Sequence, residues 1–116
     1  MASRRKIKLG VVGLGYWGPN LVRNFSEVDN CHVAMACDCD EGKLKPIKRR
    51  YPYVEVTTRY EDIVDAKDID AIAVATPVVS HYELAKRALE KGKHVLVEKP
   101  LCANVKEAED LIKVAA

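Results

Sequence analysis

Short apolar runs alternate with amphipathic stretches along the whole chain. Five of these runs are almost continuously apolar, which is typical of parallel strands that are buried on both faces. Between them, apolar residues recur at helical spacing. The alternation predicts a three-layer α/β/α fold, with strands near residues 6–12, 32–37, 53–56, 71–75 and 94–97 and helices near 16–28, 41–51, 59–66, 79–92 and beyond 104.

The helical spacing also predicts which side chains face the core. Gly92 follows Lys91 as a C-cap glycine, and Asn104 is expected to cap the last helix. The expected inward-facing residues are Trp17, Leu21, Val22, Phe25 and Val28 in the first helix and Leu44, Ile47 and Tyr51 in the second.

Strand–helix alternation with right-handed crossovers predicts a doubly wound parallel sheet in the order 3-2-1-4-5. The last helical stretch is still amphipathic at Ala116, so the sequence ends where a sixth strand is expected. In this order the fifth strand, Val95-Leu96-Val97, lies at the sheet edge, and Leu111 and Ile112 are expected to lack cover. Exposed edges and apolar patches favour association. We therefore expect self-association through this strand or the C-terminal helix.

A glycine-rich segment follows the first predicted strand directly. Gly13, Gly15 and Gly18 are spaced as G-x-G-x-x-G at the start of a helical pattern, and Asp38 comes 20 residues after Gly18. In this motif the first glycine allows a tight turn, the second lets the backbone approach a pyrophosphate, and the third lets the helix pack closely on the strand. The phosphates then lie at the positive end of the helix. The sequence predicts one dinucleotide-binding domain over residues 1–116.

Asp38 ends the second predicted strand, where it can accept hydrogen bonds from both hydroxyls of an adenosine ribose. A 2′-phosphate there would meet a like charge, and no arginine stands at 39 or 40. At about 4 Å this repulsion is roughly 1–4 kcal/mol, depending on the effective dielectric. The sequence therefore predicts NAD as the cofactor in preference to NADP, and it assigns the capping of the next helix to Asp40.

Glu98-Lys99-Pro100 follows the fifth predicted strand, on the side of the sheet where doubly wound proteins bind ligands. Pro100 restricts Lys99 to an extended conformation. A lysine acts there as acid or base if its pKa falls from about 10.4 toward roughly 7–8, which desolvation and an oxidised nicotinamide ring would favour. A surface turn is the commoner role of such a tripeptide, so these residues alone leave both interpretations open.

The charge balance gives no sign of a strongly charged partner. Nineteen basic and 17 acidic residues leave a net charge of +2 and a pI near 8.3, so no large field of one sign attracts nucleic acid or an anionic membrane. The basic runs at 4–6 and 48–50 are interpreted as solvated ends of elements. No apolar run reaches membrane-spanning length and no signal peptide precedes the first strand, so a cytoplasmic protein is expected.

The four cysteines show no metal or disulfide pattern. Cys31, Cys37 and Cys39 occupy alternate positions, so they are expected to share one face of an extended strand, and Cys102 stands apart. No C-x-x-C pair occurs, and the three histidines have no ligand spacing relative to the cysteines. Free, mostly buried thiols and no metal are expected.

Three motifs occur together: Gly13-Leu14-Gly15-Tyr16-Trp17-Gly18-Pro19-Asn20, then Ala75-Thr76-Pro77 with His81, then Glu98-Lys99-Pro100. In combination they resemble the N-terminal half of the Gfo/Idh/MocA oxidoreductase family, whose cofactor domain is a Rossmann fold. The resemblance implies that Lys99 is the catalytic residue and that Glu98 lies near the nicotinamide. It also implies that Tyr16, Trp17, Thr76, Pro77 and His81 contribute to the cofactor site.

The resemblance implies a function as well. Family members continue into a substrate domain that carries a catalytic histidine and most substrate contacts, and this sequence does not include it. We expect the NAD-binding part of an oxidoreductase that transfers hydride between nicotinamide and a sugar or nucleotide-sugar carbon, as a fragment or truncated product that is inactive alone. The expected partners are NAD(H) and, with the further domain, a sugar-like substrate. The alternative is a stand-alone NAD-binding or interaction module without turnover.

Overall fold

A computed structural model describes residues 6–15, 17–98 and 104–116. Its strands form one parallel sheet in the order β3-β2-β1-β4-β5, as the sequence predicts. The strands are β1 (Ile7–Val12), β2 (Cys31–Cys37), β3 (Glu55–Thr57), β4 (Ala71–Val74) and β5 (His94–Val97). The predicted α/β class and doubly wound topology are confirmed.

Helices connect these strands on both sides of the sheet. They are α1 (Gly18–Ser26), α2 (Glu41–Arg50), α3 (Tyr60–Val64), α4 (His81–Glu90) and α5 (Val105–Ala115), and a 3-10 turn precedes α4 at Val78–Ser80. Asp40 caps α2 by accepting a hydrogen bond from the Gly42 backbone amide. Asn104 caps α5 in the same way, and Gly92 adopts a φ of 78° just beyond α4. These three predicted caps are confirmed.

The sheet buries one apolar cluster on each face. On the first face, α1 packs against β1 and β2, and α2 packs against β2 and β3. On the second face, α3 packs against β2, and α4 packs against β4 and β5. The first cluster includes Leu9, Val11, Val22, Leu44 and Ile47. The second includes Ile63, Val64, Ile72, Val74 and Ala88. Because β1 and β4 are buried over most of their length, the apolar runs of the sequence at these strands are continuous rather than alternating.

A β-bulge in β2 changes which residues share a face. Leu9 pairs with Val33 but Gly10 pairs with Met35, so Ala34 is an extra residue relative to β1. As a result, Cys31 packs with the first cluster, whereas Cys37 belongs to the second. The prediction of a shared face is therefore wrong.

The cysteines are also less buried than predicted. Among the described ones Cys37 is buried, Cys31 is half-buried and Cys39, beyond the strand end, is exposed, and all three are free thiols. Cys102 lies outside the described residues. No group of three or more potential metal ligands occurs within the described ranges.

Helix α1 is shorter at both ends than the sequence predicts. Trp17 and Val28 flank it, and they are 51% and 48% exposed instead of lying on the inward stripe. Val22 is fully buried, and Leu21 and Phe25 pack at the edge of the core. The periodicity identified the inward face correctly but extended it past the turn at either end.

Strand β5 lies at one edge of the sheet, and its Leu96 is 49% exposed. Helix α5 packs on α4, where Tyr82 donates a hydrogen bond to the Asp110 carboxylate at 2.7 Å. Leu111 is buried, so the expectation that it lacks cover is wrong, whereas Ile112 is 66% exposed. None of the described helices is both long enough and apolar enough to cross a bilayer.

Candidate cofactor site

A cleft of about 630 Å³ opens where β1, β2 and β4 end, at the carboxyl edge of the sheet. This is the edge at which doubly wound sheets bind ligands. The cleft is lined by six of the residues that the sequence predicts for the cofactor site: Gly13, Gly15, Trp17, Asp38, Thr76 and Pro77. The cleft is thus lined by the glycine turn, the Asp38 carboxylate and the Thr-Pro turn, which come from three separate parts of the chain.

A larger cleft of about 740 Å³ opens at the amino edge of the sheet, around Lys93 and His94. The Lys93 ammonium there donates hydrogen bonds to the Ala66 and Ile69 carbonyls at 2.6 and 2.7 Å. These bonds join the loop before β4 to the loop before β5. Lys93 therefore has a structural role, and the cleft at the carboxyl edge is the one that contains the predicted binding residues.

Two glycines of the motif are required by close backbone contacts. Gly13 has a φ of 94°, and a Cβ atom there would lie 2.7 Å from the Ala75 carbonyl carbon and the Thr76 nitrogen. A Cβ atom on Gly18 would lie 1.8 Å from the Gly13 carbonyl oxygen. The first turn of α1 therefore packs directly on the glycine loop, and no larger side chain fits at either position.

Gly15 is in a different situation, because the space next to its Cα atom is open. Apart from Gly15 itself and its chain neighbours, the one described atom within 4 Å of a Cβ built there is the Lys43 Nζ, at 3.9 Å. Helix α1 begins just beyond, and its first turn contains no acidic residue. The positive end of the helix and an ammonium group thus border the open space, which suits a phosphate.

Asp38 connects the two loops that form the floor of the cleft. One carboxylate oxygen accepts a hydrogen bond from the Leu14 amide, and the other accepts one from the Asp40 amide, both at 2.8 Å. Each oxygen has a second lone pair with which it can accept another bond. Asp38 can therefore hold the glycine loop against the start of α2 and still accept two ribose hydroxyls.

The Thr76-Pro77 turn forms another wall, and His81 supports it from behind. The His81 side chain is 2% exposed, and its Nε2 lies 2.6 Å from the Thr76 carbonyl oxygen. Since a carbonyl only accepts, Nε2 carries the proton. The Ser80 hydroxyl lies 2.7 Å from Thr76 Oγ1 and 2.8 Å from the Pro77 carbonyl oxygen. His81 contacts the turn and is not among the residues that line the cleft.

Glu98 lies at the same sheet edge, where its backbone amide donates a hydrogen bond to the Val74 carbonyl at 2.9 Å. Its side chain is half-buried and is not part of the cleft lining. Two further predicted residues, Tyr16 and the catalytic candidate Lys99, lie outside the described residues. Their roles stay predictions.

The cleft is also lined by residues that the sequence analysis did not assign to the cofactor site: Cys39, Lys43, Thr58, Tyr60 and Ser80. Tyr60 is buried and donates a hydrogen bond to the Leu84 carbonyl at 2.7 Å. Burial raises the pKa of the Tyr60 hydroxyl, so it stays neutral. Burial also raises the pKa of the Cys37 thiol, to about 12. Thr58 and Tyr60 could have been found from the sequence, because they follow the third predicted strand, whose end lies at the carboxyl edge of the sheet.

The strand order and the glycine turn after β1 define a dinucleotide-binding Rossmann domain. The chain belongs to the Gfo/Idh/MocA family: the family model described as "Oxidoreductase family, NAD-binding Rossmann fold" matches residues 7–116. The predicted family and cofactor class are thus confirmed.

Individual relatives agree with this assignment. Glycosyl hydrolase family 109 protein 4 of Phocaeicola vulgatus is 32% identical over 117 residues, covering 94% of this chain and 23% of that protein. The scyllo-inositol dehydrogenase of Lactobacillus casei with bound NAD(H) and scyllo-inositol has a TM-score of 0.87 and 30% identity, covering 95% of this chain and 33% of that one. A 3-ketoreductase of Actinomadura kijaniata in complex with NADP has a TM-score of 0.88 and 30% identity, covering 96% and 34%. The chain therefore spans about a quarter to a third of these relatives.

Proposed function

We propose that this chain is the cofactor-binding domain of an NAD-dependent dehydrogenase that acts on a sugar-like alcohol or ketone. The observation that carries the proposal is the cleft at the carboxyl edge, with Asp38 at one end and the glycine loop beside it. Two relatives support the substrate class, because their names specify an inositol dehydrogenase and a 3-ketoreductase. Free cysteines among the described residues agree with a cytoplasmic location.

The residues of the cleft fit a dinucleotide. Gly13 and Gly18 bring the first turn of α1 against the loop, and Gly15 leaves the space for a pyrophosphate. Asp38 would accept the ribose hydroxyls, and the Thr76-Pro77 turn would border the nicotinamide half. When bound, the nicotinamide supplies the hydride acceptor or donor of the reaction.

Lys99 would handle the proton in this scheme, a role that rests on its place in the Glu-Lys-Pro motif. In the oxidative direction the uncharged Lys99 amine would accept the hydroxyl proton of the substrate, and the nicotinamide would supply the acceptor for the carbinol hydride. Because Glu98 is joined to β4 through its amide, the motif begins at a fixed place on the sheet edge.

The curated relatives favour a second candidate function, glycoside hydrolysis. Several of them are named glycosyl hydrolase family 109 proteins. Hydrolases that depend on NAD depart from the usual two-carboxylate mechanism, so a cofactor domain of this kind is compatible with such an activity. The two candidate functions can be separated in a full-length relative whose cofactor domain is replaced by this one. Release of p-nitrophenol from p-nitrophenyl glycosides would indicate glycoside hydrolysis, and NAD reduction by polyols would indicate dehydrogenation.

Calorimetric titration of the 116-residue chain with NADH tests the binding function, since the chain contains the whole described cleft. We expect saturable one-to-one binding and no dehydrogenase turnover, because the chain spans only about a third of the length of the dehydrogenases that it matches. Reduction of NAD by sugars at about 1 to 1,000 per second would contradict the second expectation. Lack of NADH binding would contradict the first.

A further inference from the structure

Lys43 places a positive charge over the glycine loop from a distant part of the fold. It lies on the exposed side of the first turns of α2, and its Nζ is 3.9 Å from the Cβ position of Gly15. Its ammonium forms no ion pair or hydrogen bond with any other residue of the described ranges, whereas the ammonium groups of Lys86 and Lys91 pair with Asp110 and Asp65. The ammonium of Lys43 is therefore available to a ligand in the cleft, which it lines.

The charges around Gly15 favour an anion at this point. The first turn of α1 carries no acidic side chain to offset its positive end. The Asp38 carboxylate, which lines the same cleft, is already bound to the Leu14 and Asp40 amides. An anion beside Gly15 would therefore meet the helix end and Lys43 together.

We propose that Lys43 is a phosphate-binding residue of this domain and contacts the pyrophosphate of the dinucleotide. The assignment rests on the proposed NAD-binding function. The position of Lys43 favours a contact with the pyrophosphate over one with a 2′-phosphate. Its Nζ lies near Gly15, the glycine that makes room for the pyrophosphate, whereas the ribose hydroxyls are expected at Asp38. An exposed charged contact of this kind changes affinity by a modest factor.

Calorimetry with NAD, NADP, ADP and adenosine tests the proposal on the unmodified chain and on the variants Lys43→Met, Lys43→Arg and Lys45→Met. We expect Lys43→Met to weaken NAD and ADP binding about three- to tenfold and to leave adenosine, which has no phosphate, unchanged. Lys43→Arg should retain most of the affinity. Lys45→Met is the matched control, since Lys45 is exposed on the same helix and does not line the cleft.

Salt adds a readout that a purely structural role would not change. Raising KCl should weaken ADP binding to the unmodified chain more than to Lys43→Met, because screening acts on the charge that the variant lacks. Thermal melts of the variants should coincide, since Lys43 is exposed.

Three results would overturn the proposal. The first is unchanged NAD and ADP affinity in Lys43→Met. The second is a loss confined to NADP, which would place Lys43 at a 2′-phosphate. The third is an equal loss for adenosine, which would show a general distortion of the cleft. If the unmodified chain binds ADP and not NAD, the proposed function fails while the ADP comparison still decides the role of Lys43; if it binds neither, both fail.

Discussion

Replacing Gly18 with alanine tests whether the glycine loop and α1 pack as closely as the structure shows. The added Cβ would lie 1.8 Å from the Gly13 carbonyl oxygen, and atoms of this kind do not approach closer than 3.0 Å. Loop and helix would have to separate by the difference, 3.0 minus 1.8, or 1.2 Å. Gly18 has no positive φ, so crowding is the main cost.

The magnitude follows from typical overpacking. Forcing an extra methyl group into a close contact costs about 1–3 kcal/mol, and the gain in helix propensity offsets roughly 0.5–1 kcal/mol of it. Because the contact is with backbone, we expect the upper part of this range, about 2 kcal/mol net, and a melting temperature lower by roughly 10 °C. NADH affinity should fall by more than tenfold, because the displaced loop is the one that receives the pyrophosphate.

Gly92→Ala is the matched control for this change. Unlike Gly18, Gly92 has a positive φ, 78°, but no described atom outside its chain neighbours lies within 4 Å of its Cβ position, and it stands at the opposite edge of the sheet. The control should lose about 1 kcal/mol from backbone strain and keep its NADH affinity. A Gly18→Ala chain that melts with the unmodified protein and binds NADH equally well would refute the close packing.

Three further predictions follow from the described side chains. Cys39 is exposed in the cleft, whereas Cys37 is buried and its pKa is raised to about 12. Iodoacetamide at pH 8, followed by peptide mass spectrometry, should therefore modify Cys39 well before Cys37, and NADH should slow the modification of Cys39. Equal modification rates of the two thiols would contradict this prediction. The hydrogen bond from Tyr82 and then the Lys86 ammonium hold the pKa of Asp110 below its usual range, so this stabilisation is complete above about pH 4 and is lost as the pH falls through the lowered pKa. Asp110→Asn should therefore lose less stability than the unmodified chain between about pH 5 and 2 in urea titrations, and parallel losses would exclude the effect. We also predict self-association through β5, where Leu96 is 49% exposed, or through α5, where Ile112 is 66% exposed. The mass measured by light scattering should then rise with protein concentration, and a constant mass of 12.9 kDa would contradict self-association.

Features governed by local rules could be predicted from the sequence. Continuous apolar runs indicated parallel strands, and the position of the glycine motif after the first strand indicated which end of the sheet binds ligands. Asp40, Gly92 and Asn104 act as the caps that their residue types favour. These features depend on neighbours in the chain, so the sequence carries them directly.

Features that depend on contacts between distant segments could not be predicted in the same way. The bulge at Ala34 is visible only in the pairing of β2 with β1, and it places Cys31 and Cys37 on opposite faces. Lys43 lies near Gly15 only because α2 packs beside the glycine loop. The residues that directly follow Asp38 in the sequence therefore do not reveal its role. The second role of Asp38, as acceptor for the Leu14 amide, likewise arises from the juxtaposition of two loops.

Cofactor discrimination by Asp38 is the most direct test of the central claim, that the cleft is an NAD site. Calorimetric titration of NADH and NADPH into the unmodified chain and Asp38→Ala measures it. The unmodified chain should bind NADH more tightly by about one to two decades, since a 2′-phosphate would meet the Asp38 carboxylate. Asp38→Ala should weaken NADH binding and narrow the difference, because it removes both the ribose acceptor and the repelling charge. Equal affinities of the unmodified chain for the two cofactors would contradict the account.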